Sequence, residues 1–296
     1  MRHVLSVADL SREELDRVLD RAVEWKTGHA VSRLPKAPRV TFLLERPTFR
    51  TLIAYEAALT NLGGRLLTFE GRLEAQESID DVARVLSEMV DAVLVRVGDH
   101  EKLEALAAAS KIPVVNALTQ REHPVEVLAD ALTMREAFGN LAGRRFAFVG
   151  DGGNVCQSLL LLAPMLGMDT SVATPPSHAP DEDVLAQARR RAEEAGRRFA
   201  VASTPAVAVD GAAVVYTDGW PSSDDAEAVF GPYRVDRQLF SKASPDAIFL
   251  HCLPAQRGRE VTADVIDGPR SHAFRRLENL IHTSTALLEW LLGSTQ

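Results

Sequence analysis

A histidine and an acid stand at the start of a predicted helix, in the stretch "EHPVEVLADALT" of residues 122–133. His123 precedes Pro124, and proline is favoured in the first turn of a helix because it has no N–H to leave unsatisfied. Glu126 follows three residues later. Histidine and glutamate are common acids and bases in enzymes. The plainer interpretation is a helix that His123 caps.

An Arg- and Thr-rich segment, "ERPTFRT" at residues 45–51, follows an apolar strand and opens another helix. The first turn of a helix offers unpaired N–H groups and the positive end of the helix dipole. With Thr48, Arg50 and Thr51 added, such a turn would hold a phosphate group. A capped helix start with surface arginines fits the same residues. Arg96 ends a third apolar strand, which by itself says little.

The glycine turn "VGDGGNV" at residues 149–155 invites comparison with dinucleotide-binding sites. That motif needs a third glycine three residues after the second, and the position is Val155. The next strand ends in "VATPP", without an acid that could hold a ribose. We therefore favour a tight turn that presents Asn154 to a ligand.

A second turn, "HCLPAQRG" at residues 251–258, follows the last strong strand. His251 and Cys252 could suggest a thiol nucleophile with its base. Neighbouring residues of a strand point to opposite faces, however, which argues against such a pair. Pro254 instead favours a turn that presents backbone carbonyl groups.

The elements that position these residues alternate between strand and helix, which predicts parallel sheets in an α/β fold. Ser11 and Glu14 form a capping box at the start of the first helix, and the last helix is expected at residues 284–292. Ligands of such sheets bind beyond the carboxyl ends of the strands. The predicted strands are residues 39–44, 65–69, 91–97 and 113–117 in one half, and 144–150, 169–174, 212–218 and 247–252 in the other.

Composition limits the class of protein. The chain has 296 residues, of which 46% are hydrophobic and 25% charged, as expected for a globular protein of two domains. A net charge of −8 makes a nucleic-acid partner improbable. Two cysteines, with no apolar run of signal or membrane-spanning length, lead us to expect a cytoplasmic protein without a membrane partner.

Taken together, the motifs resemble the aspartate/ornithine carbamoyltransferase family on its ornithine side. The stretches that carry the resemblance are "ESIDDVARVL" (77–86), "HPVEVLADALT" (123–133), "TDGW" (217–220) and "HCLPAQRGREVTADVIDGPRS" (251–271). The resemblance implies two Rossmann-like α/β domains. They are a carbamoyl-phosphate domain (1–138) and an acceptor domain (139–275), and a C-terminal helix (276–296) returns to the first domain. It also implies a homotrimer, and a reaction that needs no metal or organic cofactor.

The resemblance also implies roles for individual residues. Carbamoyl phosphate would be held by Thr48, Phe49, Arg50, Thr51, Arg96, His123, Glu126, and the carbonyl groups of Cys252 and Leu253. Arg50, Arg96, His123 and Cys252 would be catalytic, because donors to the carbamoyl and phosphate oxygens stabilise the charge of the transition state. The amine acceptor would be held by Asn154, Asp218, Ser222, Ser223 and Cys252.

Four departures from the family pattern affect both substrates. Glu126 replaces a glutamine, Leu52 and Leu280 replace arginines, and Ser223-Asp224 replaces Met-Gly. We therefore expect a carbamoyltransferase whose acceptor is ornithine-like but not ornithine itself. Two alternatives stay open: a non-catalytic paralogue that binds a ligand or regulates, and a nicotinamide-dependent oxidoreductase, against which Val155 argues.

Overall fold

The computed structural model describes residues 1–293 of the chain, which divide into two compact units. Unit 1 contains Met1–Leu132 and the chain from Leu277 onward, and unit 2 contains Thr133–Arg276. Each unit is built on one sheet of parallel strands flanked by helices. The predicted α/β class with two parallel sheets is confirmed.

Unit 1 has a four-stranded sheet in the order β2-β1-β3-β4. The central strands are apolar and buried because helices cover both faces of a parallel sheet. The strands are β1 (Arg39–Leu44), β2 (Arg65–Glu70), β3 (Ala92–Arg96) and β4 (Val114–Leu118), and the helices that accompany them are α1 (Arg12–Lys26), α2 (Arg50–Asn61), α3 (Ile79–Met89), α4 (His100–Ala109) and α5 (Pro124–Phe138).

The register of the central pair sets the position of two predicted site segments. Leu44 at the end of β1 lies opposite Arg96 at the end of β3. Just beyond this pair, the Glu45 N–H donates to the Arg96 carbonyl over 2.9 Å. The Arg/Thr segment after β1 and the Arg96 side chain therefore leave the sheet at the same edge.

Unit 2 has a five-stranded sheet in the order β7-β6-β5-β8-β9. Its strands are β5 (Arg145–Val149), β6 (Asp169–Ala173), β7 (Phe199–Val201), β8 (Val214–Thr217) and β9 (Ile248–His251). Its helices are α6 (Asn154–Met165), α7 (Glu182–Glu194), α8 (Pro205–Val209), α9 (Ala226–Phe230), α10 (Arg237–Phe240) and α11 (Ala263–Ile266). The sequence did not indicate β7, a partly exposed edge strand of three residues.

The last helix, α12 (Arg276–Gly293), begins eight residues before the predicted start, so that boundary was wrong. The early turns combine apolar residues at helical spacing, Leu277, Leu280 and Ile281, with buried polar side chains, including Asn279 and Thr283. The Thr283 hydroxyl donates to the Asn279 carbonyl over 2.8 Å, which satisfies it within the helix. The capping box at Ser11 is confirmed, since its hydroxyl accepts the Glu14 N–H and Glu14 accepts the Ser11 N–H. No helix within residues 1–293 is long and apolar enough to cross a membrane.

Glu289 on α12 connects the last helix to the N-terminal part of unit 1 through hydrogen bonds. Its carboxylate accepts hydrogen bonds from Arg21 Nε at 2.6 Å, from the Arg33 N–H at 2.7 Å and from Trp25 Nε1 at 3.2 Å. Burial by itself would raise the pKa of Glu289, but these donors outweigh it and hold the pKa below its ordinary value. The carboxylate is thus stabilised in its charged form.

We expect Glu289→Ala to lower the free energy of unfolding by roughly 2–3 kcal/mol, because it leaves Arg21 with less compensation in a buried place. A lowered native pKa contributes stability above the unfolded pKa that is lost as pH falls through the native value. Urea unfolding of wild type and Glu289→Ala at neutral pH measures the loss of stability, and urea unfolding of wild type and Glu289→Gln at neutral pH and at about pH 4 measures the pH dependence. An equal loss of stability in the two proteins on acidification would contradict this role.

Candidate active site

The start of α2 in unit 1 has the form expected of an anion site. Phe49 is the N-cap residue and makes no side-chain capping hydrogen bond. The Thr48 hydroxyl donates to that of Thr51 over 3.3 Å, and the Arg50 guanidinium lies 5.2 Å from the Phe49 ring centre. The Phe49 side chain therefore does not cap this first turn, and the start of such a helix is a favourable place for an anion.

Arg96 lies at the same edge and is mostly buried. Its Nε has no hydrogen-bond partner among residues 1–293. Burial lowers the pKa of Arg96, and the charges of Arg50 and Arg46 lower it further, whereas the charge of Glu126 opposes the shift. Three guanidinium groups within electrostatic range, one of them desolvated, favour an anion such as phosphate.

His123 and Glu126 form a buried pair beside these cations. A turn closed by the Thr119 N–H and the Glu122 carbonyl, 2.9 Å apart, leads into α5. His123 is 4% exposed and Glu126 5% exposed, and His123 Nε2 lies 3.4 Å from a Glu126 oxygen. Residues 122–134 are buried all round, so the pair lies in a low-dielectric environment.

Leu280 occupies the position where the resemblance expects an arginine. It is 1% exposed and packs with Ala54 of α2 and Ala129 of α5. Tyr55, the neighbour of Ala54, is fully buried, and burial raises the pKa of its hydroxyl, to which the charge of Glu126 also contributes. An apolar contact therefore stands where the resemblance implies a cation.

In unit 2 the glycine turn after β5 presents Asn154 as the first residue of α6. The turn is covered by the loop that follows β6, since the Gly152 N–H donates to the His178 carbonyl over 2.9 Å. A Cβ on Gly152 would lie 2.5 Å from that oxygen and 2.5 Å from the Pro180 nitrogen. Only glycine fits here, as the sequence analysis expected of a tight turn.

Asp218 and Cys252, which follow neighbouring strands, are in direct contact. Thr217 and His251 are opposite each other at the ends of β8 and β9. The Cys252 thiol donates to Asp218 Oδ1 over 2.7 Å, and the same oxygen accepts the Gly219 N–H over 2.6 Å. A carboxylate beside a thiol can accept a hydrogen bond from an amine substrate. Ser222 and Ser223 lie in the exposed segment after Trp220.

The turn at Leu253 is shaped by a second buried pair. Leu253 has a φ of 62°, and its N–H donates to His251 Nδ1 over 2.8 Å. His251 Nε2 lies 3.4 Å from Glu260, and both side chains are 0% exposed. Glu260 also accepts the Gln256 N–H. The pair therefore fixes the backbone on which Cys252 and Leu253 lie, a role for Glu260 that the sequence did not indicate.

Asp151 and His178 are further polar residues that the sequence analysis missed. His178 Nδ1 lies 3.1 Å from Asp151 Oδ1. Burial raises the pKa of Asp151, the charge and hydrogen bond of His178 oppose this, and the charge of Asp218 adds to it. Asp151 follows a strand, which could have marked it, but no local pattern marks His178 in its loop.

One group of side chains in unit 2 has atoms close enough to hold a metal ion. The ligand atoms of Asp218, His251 and Cys252 lie within 4.8 Å of one another. His251 Nδ1 already accepts the Leu253 N–H, and Cys252 donates to Asp218. A metal ion bound there would have to displace both of these hydrogen bonds.

The two units correspond to two domains of one family of transferases. Residues 2–136 match the carbamoyl-P binding domain of aspartate/ornithine carbamoyltransferase, and residues 142–291 match the Asp/Orn binding domain. These matches cover most of the chain. The chain belongs to the aspartate/ornithine carbamoyltransferase family and is a carbamoyltransferase.

Individual relatives place the chain on the ornithine branch of that family. It is 41% identical over 302 residues to ornithine carbamoyltransferase of Methanothermobacter thermautotrophicus, covering 99% of each chain. The ornithine carbamoyltransferase structure from Pyrococcus furiosus superposes with a TM-score of 0.96 at 38% identity, covering 100% of this chain and 98% of that one. For the Gloeobacter violaceus structure the TM-score is 0.93 at 38% identity, with 99% of each covered.

We expect Gly152→Ala to destabilise the protein by about 1–3 kcal/mol, because the new Cβ meets backbone atoms that cannot rotate away. Urea unfolding gives the size of the loss. Gly293→Ala is the matched control, since a Cβ there meets nothing within 4 Å. Equal stability of the two variants would show that the loop after β6 does not hold the turn closed.

Proposed function

We propose that this carbamoyltransferase moves the carbamoyl group of carbamoyl phosphate to the amine of a small amino acid or related molecule that is ornithine-like but not ornithine itself. The observation that carries the donor assignment is the desolvated Arg96 among Arg50 and Arg46 at one edge of unit 1. Residues 1–138 would bind the donor and residues 139–275 the acceptor, with the last segment returning to unit 1.

The donor residues act mainly by position and charge. Thr48, Phe49, Arg50 and Thr51 surround the phosphate with backbone and side-chain donors at the start of α2. Arg96 and His123 donate to the phosphate and the carbamoyl oxygen, which polarises the carbonyl group and stabilises the oxyanion of a tetrahedral intermediate. Glu126 and the Cys252 and Leu253 carbonyl groups accept hydrogen bonds from the carbamoyl NH₂.

The acceptor residues orient a neutral amine toward the carbamoyl carbon. Asn154, Ser222 and Ser223 hold the molecule, and Asp218 with Cys252 lies beside the attacking amine. A new C–N bond forms, the C–O bond to phosphate breaks, and the amine proton leaves with phosphate or to solvent. Holding two reactants in line in this way replaces an encounter in solution by a unimolecular step.

The proposal that the acceptor substrate is not ornithine rests on residues that differ from the family pattern. Ser223 and Asp224 stand where the ornithine motif has Met-Gly, and both are exposed in the segment after Trp220. Asp224 and Asp225 favour an amine-bearing acceptor, more basic than ornithine. Loss of a donor to the reacting oxygen, as at Leu280, typically costs about 10²–10³ in rate, so another substrate group is expected to compensate.

A non-catalytic paralogue that binds a ligand or regulates is the second candidate. The buried, apolar contacts of Leu280 with Ala54 and Ala129 favour it, because they replace a catalytic cation. The retained Arg50, Arg96, His123 and Cys252 favour the enzyme.

The enzyme assignment predicts phosphate release from carbamoyl phosphate with one amine of a panel. The panel contains ornithine, putrescine, lysine, acetylornithine, aspartate and 2,3-diaminopropionate. Arg50→Ala is the blank, and we expect it to lose at least about 10²-fold in rate, because a charged donor to the phosphate is gone. Ornithine turnover without a better acceptor in the panel would refute the non-ornithine assignment.

Thermal melting separates the two candidates. A rise in Tm with carbamoyl phosphate, absent in Arg50→Ala and unaccompanied by release with any amine, would favour the binding protein. Protection by NAD in place of carbamoyl phosphate would overturn both candidates.

The homotrimer implied by the resemblance is also part of the proposal. Exposed apolar side chains on β2 and α3 support an interface on unit 1, namely Leu67, Phe69, Val85 and Met89. Light scattering after gel filtration should give three times the 32.3 kDa chain mass, and Phe69→Lys should shift the mass toward one chain. A monomer at micromolar wild-type concentration would contradict the trimer.

We further propose a cytoplasmic location, supported by the free thiols of Cys156 and Cys252.

A further inference from the structure

Glu126 places a buried carboxylate inside a site that is otherwise cationic. One of its oxygens lies 3.4 Å from His123 Nε2. Its negative charge acts to raise the pKa of Arg96 on β3 and the pKa of the Tyr55 hydroxyl on α2. The remaining charged groups that face Arg96 are Arg50 and Arg46. The pair therefore lies within electrostatic range of one guanidinium group, that of Arg96, and of one buried hydroxyl, that of Tyr55.

In the free protein the charge of Arg96 stabilises the ionised form of Glu126, because an opposite charge nearby favours it. A bound phosphate dianion would pair with Arg96, and with Arg50 and Arg46 near it, and so reduce that stabilisation. It also brings two negative charges next to a fixed one in a place from which water is largely excluded, where like charges repel strongly. Donor binding thus changes the balance of charge around the pair.

We propose that the His123–Glu126 pair takes up one proton from solvent when the donor phosphate binds, so that the affinity for the donor falls as pH rises. The inference rests on the proposed donor site. The added proton is held between Nε2 and the carboxylate, which neutralises the pair. With the family's glutamine at position 126 there would be no carboxylate to neutralise, so the coupling is a property of this chain.

Isothermal titration with phosphonoacetamide tests the proposal, because this probe keeps the phosphoryl and amide groups and replaces the labile bridging oxygen by a methylene. Titrations at about pH 8.5 in two buffers of different ionisation enthalpy give the number of protons taken up. We expect close to one for wild type and close to none for Glu126→Gln. The wild-type affinity should fall about tenfold per pH unit near this pH.

The variants control for the ionisation of the probe and for net charge. Glu126→Gln should bind the probe about tenfold or more tightly than wild type at pH 8.5, since a neighbouring like charge is removed. Glu136→Gln makes the same charge change on an exposed residue of the same helix, roughly 15 Å further along, and should retain the wild-type proton uptake.

The outcomes separate this proposal from the proposed function. Binding without proton uptake in wild type, or with equal uptake in Glu126→Gln, would overturn the coupling and leave the donor site standing. Failure of both proteins to bind the probe, each giving an unaltered cooperative melt, would overturn the donor site itself and the coupling with it. If Glu126→Gln does not fold, the absence of proton uptake in the two-buffer titration of wild type still overturns the coupling.

Discussion

The parallel register of the strands is the constraint on which both candidate half-sites depend. In unit 1 it puts Leu44 opposite Arg96, so that the Arg/Thr segment after β1 and the partly buried Arg96 leave the sheet at the same edge. In unit 2 it puts Thr217 opposite His251, so that Asp218 and Cys252 come within 2.7 Å. Residues far apart in the chain become neighbours because parallel strands bring all their carboxyl ends to one edge.

Burial strengthens the electrostatic interactions of the charged groups at that edge. The α5 segment that carries His123 and Glu126 is buried all round, and Arg96 is mostly desolvated. In such surroundings each charge interacts more strongly than in water, and an unpaired one is costly. The candidate donor site therefore combines the guanidinium groups of Arg46, Arg50 and Arg96 with the His123 imidazole and the Glu126 carboxylate.

The acceptor half-site relies on hydrogen bonds that hold backbone turns. His251 and Glu260 fix the turn at Leu253, and the loop of His178 covers the glycine turn at Gly152. His178 and Glu260 can affect the candidate site without contacting a substrate, because they hold the segments that carry Asn154 and Cys252. Such positioning residues are separated in sequence from the groups they hold.

The sequence by itself determined the α/β class, the parallel sheets and the places where strands end in chemical residues. Alternating apolar strands and capped helices are local patterns, so Ser11, Arg50 and Asn154 could be assigned to their elements without coordinates. The sequence also showed the departures at Glu126 and Leu280. The local pattern misplaced the start of α12, whose early turns mix buried polar residues, such as Asn279 and Thr283, with the apolar Leu277, Leu280 and Ile281. Tertiary structure alone decided the contacts of Glu126 with His123, of Asp151 with His178 and of His251 with Glu260. Each depends on burial and on the approach of side chains at the ångström scale, which long-range packing sets and no local pattern of residues encodes.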